Sequence, residues 1–90
     1  KNIYIPNTFT PNNDGNNDLL FVRGLNIIDL LFKVYNNWGE EVFSTTDINQ
    51  GWDGTFKGRE LKSQTLVFTC EATFYDGTKV FKEGNVTLLR

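Results

Sequence analysis

Apolar and polar positions alternate with a period of two along most of the chain, and no segment keeps the 3.6-residue period of an amphipathic helix. Over residues 30–36, Leu30, Phe32 and Val34 fall on one face and Lys33 and Tyr35 on the other, the pattern of a half-buried strand. Residues 66–75 repeat it at greater length, with Leu66, Phe68, Cys70, Ala72 and Phe74 opposite Thr69, Glu71 and Thr73. Shorter runs predict strands at 3–5, at 19–23 ending on Gly24, at 41–44, at 79–82 and at 85–90, with Gly84 marking a bulge or a close approach. Residues 25–31 come nearest to a helix, but they are rich in β-branched isoleucine and run on into a strand. Trp38-Gly39, Gly51-Trp52-Asp53-Gly54 and Asp76-Gly77 read as turns, the last as a two-residue hairpin connection. About seven short strands punctuated in this way predict an all-β fold, an immunoglobulin-like antiparallel β-sandwich formed by residues 1–90 as a single domain.

Residues 6–18, Pro-Asn-Thr-Phe-Thr-Pro-Asn-Asn-Asp-Gly-Asn-Asn-Asp, break the alternation. Both prolines of the chain lie here, with five asparagines, two aspartates and one glycine around a single aromatic, Phe9. Proline fixes φ and removes a donor, while Asn, Asp and Gly tolerate left-handed backbone and hydrogen-bond locally, so the segment reads as a rigid loop of several turns. Two readings of its chemistry stand side by side. In one, Asx turns hold the loop and Phe9 anchors it. In the other, Asn12, Asp14, Asn16 and Asp18 at alternate positions offer hard oxygen ligands to Ca²⁺, although the EF-hand order of glycine and terminal Glu is not met.

Composition narrows the function. The chain has no histidine and two serines, which removes the Ser-His and Cys-His nucleophile pairs and nearly all zinc sites. Adjacent Glu40 and Glu41 would point to opposite faces of a strand, and no phosphate-binding glycine loop is present, so an enzyme is not expected. Nine basic and eleven acidic residues are scattered without a basic stripe, which argues against nucleic acid as a partner. No apolar run is long enough to insert in a membrane as a helix. The single cysteine, Cys70, lies on the apolar face of its strand and reads as a small buried hydrophobe. The opening Lys1-Asn2-Ile3-Tyr4 looks like a cut from a longer protein, so a missing signal peptide decides nothing.

Trp38 and Trp52 each adjoin glycine, and both rings are expected to pack across turns and close the ends of the sandwich. The rival reading leaves them exposed, stacking on sugar rings in a glycan-binding or adhesive surface module.

Residues 5–12, Ile-Pro-Asn-Thr-Phe-Thr-Pro-Asn, followed by Asp14-Gly15-Asn16-Asn17-Asp18, resemble the opening signature of the gliding-motility-associated C-terminal domain family, the type B sorting domains of the type IX secretion system. Asn36-Asn37-Trp38-Gly39, Trp52-Asp53-Gly54-Thr55, Asp76-Gly77 with Lys79-Val80-Phe81-Lys82, and Val86-Thr87-Leu88-Leu89-Arg90 follow in the family's order, so the likeness covers essentially the whole chain. Two corners depart from it: Asn37 stands where the family has arginine, and 62–66 lacks the usual proline and glycine. The resemblance implies a C-terminal sorting signal that sends a larger protein through the periplasm and outer membrane to the cell surface or medium. It also implies recognition by the type IX machinery with a PorP-like outer-membrane protein, read at Pro6, Asn7, Phe9, Thr10, Pro11, Asn12, Asp14, Gly15, Asp18 and the final Arg90. A last strand that stops at Arg90 suits an extreme C-terminal position.

Overall fold

The longest alternation in the sequence becomes the central strand of a five-stranded sheet. In the computed structural model, which describes residues 2–12, 15 and 18–90, the strands are β1 (Ile3–Tyr4), β2 (Thr8–Phe9), β3 (Arg23–Gly24), β4 (Ile27–Tyr35), β5 (Glu41–Thr45), β6 (Thr55–Phe56), β7 (Arg59–Glu60), β8 (Gln64–Phe74) and β9 (Lys79–Leu88). The large sheet has the order β2-β9-β8-β4-β5 and is antiparallel except where β2 lies parallel to β9. Its inner face presents Leu30, Phe32, Val34, Val42, Leu66, Phe68, Cys70, Ala72, Phe74, Val86 and Leu88, all buried. The covering layer is irregular: a β1–β3 ladder, a single bridge between Leu20 and Trp52, and the β6–β7 hairpin. It contributes Ile3, Ile5, Leu20, Val22 and Trp52 to the same core, where Phe9 of β2 joins them. The all-β, immunoglobulin-like sandwich is therefore present, with nine strands among the described residues rather than about seven, because several extended segments pair over only two residues.

Three local expectations change. Residues 19–23 do not form one strand: Leu20 exchanges hydrogen bonds with Trp52, while Arg23–Gly24 pair with β1, so the run changes partner midway and Gly24 lies inside a ladder. The strand after the β8 turn is continuous through Gly84, in unbroken register with Phe68. A Cβ at Gly84 would stand 3.2 Å from the Phe68 ring, so a close approach is what the glycine serves.

The Asp76-Gly77 connection is a three-residue loop. Phe74 N–H donates to the Thr78 carbonyl and Gly77 N–H to the Phe74 carbonyl, both at 2.8 Å, with Gly77 at φ 88°. In this form one left-handed residue suffices, whereas the two-residue turn needs two. The β4–β5 hairpin repeats it on Asn36, whose N–H donates to the Glu40 carbonyl at 2.9 Å and whose carbonyl accepts Gly39 N–H at 3.0 Å. There the Asn36 Oδ1 also accepts the Trp38 and Glu40 N–H groups, each at 2.9 Å.

Cys70 sits in the core without solvent exposure. Burial pushes its thiol from the ordinary 9.0 up to about 11; Lys82 opposes the shift and Glu71 adds to it. The folded state thus holds this proton more tightly than the unfolded chain, so the contribution is complete below about pH 9 and is lost as pH rises toward 11. A soluble maleimide at pH 8 is expected to leave Cys70 unmodified in the folded domain and to label it fully in denaturant, with labelling rate tracking unfolding. Rapid labelling under native conditions would contradict the burial.

Candidate functional site

The opening signature is built onto the last strand. Asn7 and Phe9 carbonyls accept N–H groups from Thr87 (2.8 Å) and Leu89 (3.0 Å), which fixes β2 parallel to β9. Phe9 alternates inward from this rail and is completely buried, its ring centroid 5.6 Å from that of Trp52. The anchoring role expected of Phe9 is met. Beyond it the chain bends at Pro11, across which Asn12 N–H reaches the Thr10 carbonyl at 2.8 Å. Asp18 then closes the loop: one carboxylate oxygen accepts Asn12 N–H at 3.1 Å and the other accepts Gly15 N–H at 2.9 Å, with Gly15 at φ 82°. Asp18 thereby gathers two N–H groups that precede it in the chain, a closure different from the expected Asx turns, in which a side chain accepts the N–H two residues on.

Of the remaining recognition candidates, Pro6, Thr10 and Pro11 are half-buried, and Asn7, Asn12 and Gly15 are exposed. Asp14 and Asn16, two of the four candidate calcium ligands, lie outside the described residues. Among the described residues no three His, Cys, Asp or Glu side chains cluster to hold a metal ion.

The Trp52-Asp53-Gly54-Thr55 corner adjoins the signature. The indole N–H donates to the Thr55 carbonyl at 2.8 Å, the ring stacks on Phe43 at 5.8 Å, and Asp53 Oδ1 accepts the Thr55 N–H (3.1 Å) and hydroxyl (2.7 Å). Gly54 has φ 82°, and a Cβ there would lie 2.6 Å from Leu88 Cδ1 and 2.9 Å from Arg90 Nη2. No other residue suits both its backbone and its space.

Arg90 binds these parts to one another. Its guanidinium donates to three main-chain carbonyls from separate segments: Leu61 through Nε, Pro11 through Nη1 at 3.3 Å and Gly54 through Nη2 at 3.0 Å. Its own N–H donates to Ser63 Oγ at 2.8 Å, and Glu60 lies 3.7 Å from Nη1. The exposed Glu60 adds little, whereas a charged donor shared by three carbonyls is worth about 1.5–3 kcal/mol. The guanidinium fork matches this demand because its five donors are held in one plane.

Trp38 departs from expectation. Its side chain is 88% exposed at the tip of the β4–β5 loop, whose hydrogen bonds are made by Asn36 and leave no task for the ring. Trp52 is 3% exposed, as expected. A sugar platform built from both rings is therefore absent, since one of them is core.

Arg90→Ala is expected to lower the thermal midpoint by roughly 10 °C, and Arg90→Lys to recover less than half of that, because one ammonium cannot meet three diverging carbonyls. Gly54→Ala should cost about 2 kcal/mol or more through both strain and overlap with Leu88. Denaturant titration of the three variants measures these effects.

No curated protein matches the chain at a significant level. The model of the CHU_C type IX secretion signal domain matches residues 3–88, from the first residue of β1 to the last of β9. That span contains the buried Phe9 anchor, the loop closed by Asp18 and the Trp52 corner, the same features that the sequence likeness singled out. The family is a non-catalytic one, and its members are signals recognised by the type IX secretion machinery for export to the cell surface or medium. The chain belongs to the type IX secretion signal domain family and acts as a sorting signal.

Proposed function

We propose that the machinery reads the folded signature surface, and that the domain brings its cargo from the periplasm to a PorP-like outer-membrane protein that docks on residues 6–18. The observation that carries this reading is the construction of the loop. Among its described residues, Asn7 and Phe9 are held by Thr87 and Leu89, and Asn12 and Gly15 by the Asp18 carboxylate, so at these positions a partner meets a preformed backbone and little entropy remains to be lost on docking. Exposed Asn7, Asn12 and Gly15 offer polar groups at its rim. Arg90 serves the reading by holding Pro11 against Gly54, since its guanidinium is committed to carbonyls. The glycan-binding alternative gains nothing from a lone exposed Trp38.

The same loop is proposed to seat a calcium ion on Asn12, Asp14, Asn16 and Asp18. The alternate spacing of these oxygen-bearing side chains, with both prolines fixing the approaches, is what supports the site. Calorimetric titration of Ca²⁺ into chelator-stripped domain, paired with thermal unfolding, decides the matter. Heat with a raised midpoint is expected, since a ligand of the folded form stabilises it. No heat and an unchanged midpoint would leave a loop closed by hydrogen bonds alone.

For the sorting role, fusion of residues 1–90 to the C-terminus of a periplasmic reporter, in a host with the intact machinery and the matching outer-membrane protein, is expected to deliver the reporter to the surface or medium. Asp18→Ala and Arg90→Ala should each reduce delivery while the fusion remains folded at the assay temperature. Periplasmic retention of the unsubstituted fusion would refute the proposal. Equal delivery by the Asp18→Ala variant would refute the role of the loop.

A further inference from the structure

Most of β9 is hydrogen-bonded on one side only. The bonds around the Phe74–Thr78 pair set the alternation: Val80, Lys82, Gly84, Val86 and Leu88 turn their main-chain groups toward β8, and Lys79, Phe81, Glu83, Asn85 and Thr87 turn theirs away. Thr87 bears this out, because its outward N–H is the one that reaches Asn7. β2 pairs with β9 only at Thr87 and Leu88. Among the described residues nothing takes the outward donors and acceptors of Lys79, Phe81, Glu83 and Asn85. A row of this length is a template for another strand.

The side chains on this row favour one kind of strand. Those of Lys79, Phe81 and Glu83 are exposed, the Phe81 ring at 58%. Among the described residues neither Lys79 nor Glu83 makes an ion pair. Lys82 is directed elsewhere, its Nζ lying 3.5 Å from the Ile3 carbonyl.

We propose that β9 pairs antiparallel with β9 of a second copy of this chain, about a two-fold axis at Phe81. In that register Phe81 faces its own symmetry mate, Lys79 lies opposite Glu83, and Glu83 opposite Lys79. All three positions turn their main chain outward, so each facing pair exchanges two hydrogen bonds and no groups inside the domain need to move. The neighbouring registers lack this match. Centring on Lys79 or on Glu83 sets like charges face to face, and centring on Val80 or Lys82 leaves both charges opposite neutral residues. Lysine on a sheet edge ordinarily discourages pairing, and here Glu83 two-fold related to it supplies the missing complement. The product is two five-stranded sheets joined along the stretch of β9 that β2 leaves uncovered, with an isologous contact that closes on itself. The contact is small, so the dimer is weak and governed by concentration.

Sedimentation velocity of the 90-residue chain, from about 10 μM to about 1 mM, reads this directly. A concentration-dependent dimer is expected. Glu83→Lys places lysine opposite lysine twice and should raise Kd by about tenfold or more, whereas Lys79→Glu combined with Glu83→Lys restores the pairing and should return Kd to within about threefold of the parent. Both positions are exposed, so unfolding midpoints of the variants should match the parent and exclude a folding defect. Amide exchange should slow at Lys79, Phe81 and Glu83 as concentration rises. A chain that stays monomeric throughout, a dimer indifferent to Glu83→Lys, a double variant that does not recover, or protection confined to β5 would each overturn the proposal.

Discussion

The covering layer of this domain owns very little ladder, and it is held in place around the indole of Trp52. A five-stranded sheet with a largely apolar inner face must be shielded from water, yet β1–β3, the Leu20 bridge and β6–β7 each pair over one or two residues. Trp52 supplies what the ladders do not. Its main chain exchanges hydrogen bonds with Leu20, its N–H fixes the turn at Thr55, and its ring contacts Phe9 on one side and Phe43 on the other. Phe43 meets Phe32, and Phe32 meets Phe68, at 6.2 and 6.0 Å between centroids. Aromatic pairs at these separations add about 0.5–1.5 kcal/mol each beyond the area they bury. One continuous file of rings therefore runs from the signature to the middle of the large sheet.

Around that file the polar parts are arranged by main-chain carbonyls rather than by side-chain pairs. Pro11, Gly54 and Leu61 have no side-chain acceptor, and all three are joined because their carbonyls converge on the guanidinium of Arg90. Asp18 does the converse with two N–H groups. A cation that gathers acceptors and an anion that gathers donors thus flank the same loop, each satisfying groups that would otherwise compete for water.

What the sequence disclosed and what it hid divide along the same line. Alternation exposed β4, β8 and the burial of Cys70, and a lone aromatic in a polar run exposed the anchor Phe9, because side-chain type reports directly on which face is dry. The glycine at 84 marked a bulge or a close approach, and the Phe68 ring, 3.2 Å from where its Cβ would stand, selects the second. The Arg90 contacts were not legible, because carbonyl acceptors are common to every residue and leave no mark in composition. The parallel lie of β2 was equally silent: a two-residue strand carries no period from which direction can be read. Trp38 misled for a third reason, as a Trp-Gly corner looks alike whether the ring folds over the turn or stands clear of it.

The pairing of β2 with β9 brings together residues at opposite ends of the sequence, Asn7 with Thr87 and Pro11 with Arg90. Contacts of such separation carry a larger loop-closure cost than the β8–β9 or β4–β5 hairpins, which close locally. The carbonyls of Asn7, Phe9 and Pro11 therefore gain these partners only when β9 and Arg90 are in position. Loss of β9 would remove Thr87, Leu89 and Arg90 as donors together, so the backbone around Phe9 reports on whether the opposite end of this domain has folded.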